Sequence, residues 1–273
     1  MGRDLRGRVA VITGASAGIG KATAEAFARA GSRVVLGARR QDRLERVAEG
    51  IRATGGEALA LVTDVAEASQ VEALVRRAVA SYGRLDLLVA NAGIGYFALV
   101  EETPLEVVER LWQVNVLGTL YAIRAALPVM RRQGAGHIIV VSSVSGKRGS
   151  PGSGLYAATK FAQVGLCEAL RVELAGTGIA ASVVCPVGTS TEFFEAAAAL
   201  GGLRMGPMGP VQTAETVAAA IVRCARRPRP EVLVYPPARL LVILNALAPR
   251  LVDALLLRFR RRLLEGRLPP PSS

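Results

Sequence analysis

The sequence predicts an α/β fold: a doubly wound parallel sheet of about seven strands with helices on both faces. Three observations predict it. Short apolar runs alternate with amphipathic stretches through the first 185 residues. The runs read as buried on both sides, as strands between two helical layers must be. A glycine-rich segment follows the first run, at the point where a strand turns into a helix. No solenoid-type repeat and no long linker divides the region.

The apolar runs are Val9–Ile12, Val34–Leu36, Ala58–Val62, Leu85–Ala90, His137–Val141 and Ala180–Cys185, with Glu231–Tyr235 as a seventh strand. Lys21–Ala30, Gln41–Ala53, Ser69–Ser81, Pro104–Arg132 and Leu155–Ala175 alternate with them and carry helical spacing. Residues 1–235 are therefore expected to form one domain, 236–268 a helical apolar and basic extension, and 269–273 a disordered end.

Half of the residues are hydrophobic and only 4% aromatic, which predicts a core of Ala, Val and Leu. Cys167, Cys185 and Cys224 are isolated and match no metal-ligand spacing, so they read as buried thiols in a reducing cytosol. The single histidine, His137, opens an apolar run and reads as a strand-edge residue; one histidine also disfavours a Ser-His-Asp hydrolase. Met1 to Arg8 contains no apolar run of signal-peptide length, and Arg6 occupies the place where myristoylation wants Ser or Thr. A cytoplasmic protein is expected.

Thr13-Gly14-Ala15-Ser16-Ala17-Gly18-Ile19-Gly20 follows the first strand. Glycines let a backbone turn tightly against a pyrophosphate, and the helix that begins there offers N–H groups and a positive dipole end. The first strand-to-helix turn is where such sheets bind dinucleotides. About twenty residues further on, an NAD site shows an acidic residue for the ribose. Here the second strand ends Leu36-Gly37-Ala38-Arg39-Arg40 with no carboxylate. Arginine at that place favours the extra phosphate of NADP(H) over NAD(H), with Arg39 as the expected contact.

Tyr156 and Lys160 share a helical face at i and i+4, and Ser143 stands thirteen residues upstream of the tyrosine. Lysine is scarce: only Lys21, Lys147 and Lys160 occur, against thirty-one arginines. An ammonium beside a phenol favours the phenolate and lowers a pKa that is ordinarily near 10. The serine hydroxyl can hold a carbonyl or alcohol oxygen against that phenol.

Together, these motifs resemble the short-chain dehydrogenase/reductase family over about Arg8 to Phe194. The resemblance implies a Rossmann-type fold and hydride transfer between a nicotinamide and a carbonyl or secondary alcohol. It makes Ser143, Tyr156, Lys160 and Asn115 the catalytic set. Lys160 would lower the tyrosine pKa and hold the nicotinamide ribose, and the Asn115 backbone would help hold a water linking Lys160 to solvent. Gly14, Ser16, Gly18, Ile19 and Gly20 would cradle the phosphates. Asp64-Val65 resembles the adenine contact, and Asn91-Ala92-Gly93 the turn supporting sheet and cofactor. After the sixth strand the family shows Pro-Gly, whereas this chain reads Pro186-Val187-Gly188-Thr189-Ser190-Thr191. An ungapped register makes Thr191 the amide-binding threonine; a shifted one makes it Thr189.

Substrate loops are expected at Ile94–Leu99, Val144–Gly154 and Thr189–Pro210, the last an apolar, glycine- and methionine-rich lid that favours a lipophilic ketone or aldehyde. A homodimer or homotetramer through Pro104–Arg132 and Leu155–Ala175 is implied by the resemblance.

From Arg223 to the end, eleven arginines face only Glu231, Asp253 and Glu265, so eight of the twelve net positive charges lie there. A second helical stretch, Arg250–Leu264, follows the apolar Leu240–Leu244. This segment reads first as packing on the substrate side or on a second subunit. Peripheral contact with anionic lipid comes next. Nucleic acid ranks last, and no aromatic-interleaved basic patch supports it. The alternative to an enzyme is a non-catalytic, nucleotide-sensing peripheral membrane protein on the same fold, against which the intact Ser143, Tyr156 and Lys160 argue.

Overall fold

A computed structural model of the chain describes residues 2–207 and 209–265; the expected disordered end at 269–273 lies outside them. In chain order the elements are β1 (Val9–Thr13), α1 (Gly18–Arg29), β2 (Arg33–Ala38), α2 (Gln41–Ala53), β3 (Ala58–Val62), α3 (Ala68–Tyr82) and β4 (Leu87–Ala90). The second half continues with α4 (Leu105–Leu111), α5 (Gly118–Gln133), β5 (Gly136–Val141), α6 (Gly154–Glu173) and β6 (Ile179–Cys185). Then come β7 (Gly188–Ser190), α7 (Phe193–Ala198), β8 (Val211–Thr213), α8 (Ala214–Arg226), β9 (Glu231–Leu233), α9 (Ala238–Leu247) and α10 (Pro249–Glu265).

Seven strands form one parallel sheet in the order β3-β2-β1-β4-β5-β6-β9. The period of two along a strand divides the core into two layers. Val9 and Val11 of β1 pack with Leu74, Ile123 and Met130 under α3 and α5. Ala10 and Ile12 pack with Phe27, Leu44 and Ile221 under α1, α2 and α8. Asp86 fastens the N-terminal edge: it is buried and accepts from Arg8, Arg84 and the Val9 backbone N–H, at 2.7, 2.6 and 3.0 Å.

Strand order reverses between β1 and β4, and this opens a crevice at their C-terminal ends. Thr13 and Asn91 stitch the two ends together. The Thr13 hydroxyl accepts from the Asn91 and Ala92 N–H groups at 3.1 Å, and the Asn91 amide donates to the Thr13 carbonyl at 3.0 Å.

The structure departs from expectation in four places. The helix expected over Pro104–Arg132 is interrupted by a π-helical turn, Trp112–Leu117, between α4 and α5. Hydrophobic spacing cannot separate α from π winding within one turn. His137 is not a strand-edge residue: β4 and β6 flank it, it is fully buried, and its Nε2 meets the Ser182 hydroxyl at 2.8 Å. Burial pulls its pKa down to about 3, so the ring is neutral. The seventh strand is shorter than expected, Glu231–Leu233. Finally, the segment after β6 folds into α7 and the small β7–β8 pair, and α8 follows it.

Candidate active site

The cradle is built by backbone approach. Gly14 has φ +69° in the left-handed region, and a Cβ there would stand 2.8 Å from Ala92 Cα. A Cβ on Gly20 would stand 2.1 Å from the Gly14 carbonyl oxygen. Neither position admits a side chain, so the turn keeps a smooth wall and the open start of α1 for a pyrophosphate. A cleft of about 780 Å³ begins here, runs past Arg39, Asp64 and Asn91, and ends at Tyr156. Its volume and its glycine floor fit a dinucleotide. Thr191 lies against this floor, its Cγ2 3.0 Å from where a Gly18 Cβ would be. Thr189 turns its hydroxyl to the Val187 carbonyl at 3.0 Å.

At the adenosine end, Arg39 lines the cleft and makes no ion pair among the described residues. Arg40 and Arg43 instead hold Glu192, at 2.9 and 2.5 Å, and Arg40 also reaches the Ser16 hydroxyl at 3.4 Å. Glu192 lies between β7 and α7, so this bridge joins the segment after β7 to the start of α2. Asp64 and Val65 line the cleft at the end of β3. Burial opposes ionisation of Asp64, but the Ala66 N–H and the Arg110 guanidinium outweigh it and hold the carboxyl below its usual range.

At the other end β5 delivers Ser143, and the first turns of α6 deliver Tyr156 and Lys160. Ser143, Tyr156 and Lys160 all line the cleft. Lys160 Nζ lies 5.7 Å from the centre of the tyrosine ring. Burial raises the phenol pKa well above its ordinary value, against the opposing pull of the Ser143 side chain. Burial thus dominates the phenol in this state and holds it protonated. Burial also pulls Lys160 down, to about 8.

Asn115 sits fully buried within the π-helical turn. Its side chain clamps the chain at Ile94, accepting from the N–H at 2.8 Å and donating to the carbonyl at 3.0 Å. Its backbone carbonyl accepts from the Thr119 hydroxyl at 2.8 Å and from Gln163 Nε2 at 2.7 Å. Gln163 Oε1 in turn accepts from Lys160 Nζ at 2.9 Å. An ammonium only donates, which orients the amide. The amide of Gln163 thus links Lys160 to the Asn115 backbone directly. Sequence reasoning missed this residue, although its spacing from Lys160 (i, i+3) puts both on one helical face.

The substrate end is aromatic. Phe97 and Phe193 pack on the Tyr156 ring at centroid distances of 6.0 and 5.5 Å, and Phe194 stacks on Phe97 at 5.7 Å. Ala197, Leu203 and Met205 complete this cluster, drawn from the expected lid. The C-terminal helices close the far side with Leu241, Val252, Leu255 and Leu256. Arg148, in the loop after β5, pins them: it donates to Asn245 at 2.9 Å and to Asp253. These contacts join segments about a hundred residues apart, and no local pattern announces them.

The profile of the short chain dehydrogenase family matches residues 8–199. The glycine betaine reductase ATRR of Emericella nidulans is 43% identical over 188 residues, 69% of this chain, though the match spans only 15% of that protein's length. A short-chain dehydrogenase/reductase of Burkholderia phymatum, solved in complex with NAD, superposes with a TM-score of 0.81 at 30% identity and 99% coverage of both chains. An alcohol dehydrogenase from Thermococcus sibiricus, solved with 5-hydroxy-NADP, superposes at 0.72 with 33% identity, covering 83% of this chain and 94% of that one. The glycine cradle, the Ser143–Tyr156 pair beside Lys160 and these likenesses agree: the chain belongs to the short-chain dehydrogenase family of nicotinamide-dependent oxidoreductases.

Proposed function

We propose that this protein is an NADPH-dependent reductase of lipophilic carbonyl compounds that works through Ser143, Tyr156, Lys160 and Asn115. The observation that carries this reading is the gathering of Ser143, Tyr156 and Lys160 in one cleft whose substrate end is aromatic and aliphatic.

When bound, the dinucleotide supplies the hydride that reaches the carbonyl carbon. The Ser143 and Tyr156 hydroxyls converge on the carbonyl oxygen. Tyr156 gives its proton to that oxygen, which becomes the hydroxyl of the alcohol. A protonated phenol can serve this donor role, and NADPH as the reductant makes reduction the working direction. The Lys160 ammonium, charged at neutral pH, stabilises the phenolate left behind. Asn115 fixes the Ile94 segment at the substrate end and, through Gln163, the position of Lys160.

Arg39 supports NADP(H) over NAD(H), because it lines the cleft and no carboxylate stands at the end of β2. Fluorescence titration with NADPH and NADH tests this. NADPH should bind at least roughly tenfold tighter, and Arg39→Asp should abolish the difference. Stronger binding of NADH would reject the assignment. Tyr156→Phe should lower turnover by ~10²–10⁴ while leaving cofactor affinity intact; full turnover would reject the mechanism. We also infer a homodimer or homotetramer: Trp112 and Phe161, on the helices expected at its contact, stand 43% and 45% exposed. Light scattering of the eluted protein reads its mass directly.

A further inference from the structure

The hairpin of α9 and α10 carries two apolar faces. The inner face meets the cleft through Leu241, Leu255, Leu256 and Val252, the last of them fully buried. Arg148 holds both helices in that position through Asn245 and Asp253. The outer face presents Leu240, Ile243, Leu247, Leu251 and Leu257 to solvent, with Leu247 80% exposed. Leu241 and Leu255 belong to both faces: they line the cleft and remain 38% and 48% exposed. Apolar surface therefore runs unbroken from the outside of the hairpin into the substrate end.

Charge says what covers that outer face. Arg239 and Arg250 stand exposed at the starts of the two helices, and the nearby carboxylate, Asp253, is neutralised by Arg148. The sequence continues with Arg258, Arg260, Arg261, Arg262 and Arg267 against Glu265. A second copy on this face would bring like charges together across the contact, which destabilises it. Anionic headgroups complement the arginines while acyl chains receive the leucines. No single helix among the described residues is long and apolar enough to cross a membrane, and α9 and α10 bend by 119° at their break. A bend this sharp, with charge on both helices, suits a hairpin that lies in the interface plane.

We propose that the outer face of α9 and α10 seats the protein on an anionic bilayer surface, and that the carbonyl substrate passes from the lipid into the cleft beside Leu241 and Leu255. The second half rests on the reductase reading; the membrane seat does not.

The test is flotation of the full chain with vesicles of phosphatidylcholine alone or mixed with phosphatidylglycerol. Wild-type protein should float with the anionic vesicles and stay behind with the neutral ones. The triple variant Leu240→Asn, Leu247→Asn, Leu251→Asn changes only outer-face residues that do not line the cleft. It should lose at least roughly tenfold in bound fraction and still reduce a water-soluble ketone at the wild-type rate. A ketone dissolved in the vesicles should be reduced by the wild type and spared by the variant. Tyr156→Phe should float like the wild type, which separates the seat from the chemistry. Wild-type protein that does not float, or a triple variant that floats equally well, overturns the seat. So does a concentration-dependent dimer that the triple variant loses while neither protein floats, which assigns the face to a second copy. Floating protein that reduces soluble ketone but not the lipid-dissolved one overturns the route of access alone.

Discussion

Gln163→Leu asks whether the amide between Lys160 and Asn115 works on the chemistry or only on the fold. Gln163 is fully buried and makes three hydrogen bonds, to Lys160, Asn115 and Thr119. Leucine matches its volume but offers neither donor nor acceptor. Asn115 keeps its Thr119 bond, and Lys160 keeps Val141 at 3.2 Å. The main loss is therefore the bond to a charged group, about 1.5–3 kcal/mol, with about 1 kcal/mol more from the neutral bonds. Added apolar burial returns part of this, which leaves a net loss of about 2 kcal/mol. In a chain of this size that lowers Tm by roughly 4–8 °C.

The diagnostic effect is on titration. A buried ammonium that loses an acceptor is harder to keep charged, so the Lys160 pKa should fall further below about 8. Initial rates of ketone reduction with NADPH, taken from neutral to alkaline pH, read this as an acid-ward shift of the alkaline limb of kcat/KM. Gln163→Glu should move the same limb the other way, because a carboxylate favours the ammonium. If both variants lose stability while the limb stays in place, Gln163 serves the fold alone and the positioning role is refuted.

Four further outcomes are expected. In the wild type, Lys160 carries its charge below about pH 8 and loses it above, so kcat/KM for reduction should decline through that pH; Lys160→Arg, whose charge persists, should remove that limb whatever activity remains. By the same shift, the unfolded lysine binds a proton up to about 10.4 while the folded one does not, so the contribution of Lys160 to stability rises between about pH 8 and 10.4. Glu192→Gln frees Arg40 and Arg43 beside the expected phosphate seat and should tighten NADPH roughly twofold to fivefold without changing NADH; an equal gain for both cofactors would assign Glu192 a general electrostatic effect. Burial would raise Asp86, but the bonds from Arg84, Val9 and Arg8 outweigh it and hold its pKa below the normal range. That stabilisation is present above the unfolded value near 3.9 and is lost as pH falls through the lowered one. Asp86→Asn should cost about 1–3 kcal/mol at neutral pH by urea unfolding, and less in acid.

Much of the molecule was legible in one dimension. Apolar runs buried on both faces predicted the sheet, because a parallel strand covered by two helical layers has no polar side. Gly14 and Gly20 announced the cradle because only a missing Cβ lets these backbones touch. Tyr156 and Lys160 were readable because helical spacing fixes which residues share a face. Only tertiary structure decided the electrostatics of that pair. Desolvation depends on what the rest of the chain stacks above a group, and here Phe97 and Phe193 cover Tyr156 and raise its phenol. It also decided that Gln163 bridges Lys160 and the Asn115 backbone, since the π winding at Asn115 leaves no trace in hydrophobic spacing. The use of α9 and α10 likewise rests on a contact across about a hundred residues of sequence. Composition showed that they are apolar and basic, but only the bonds from Arg148 to Asn245 and Asp253 turn one face inward and leave the other to the outside.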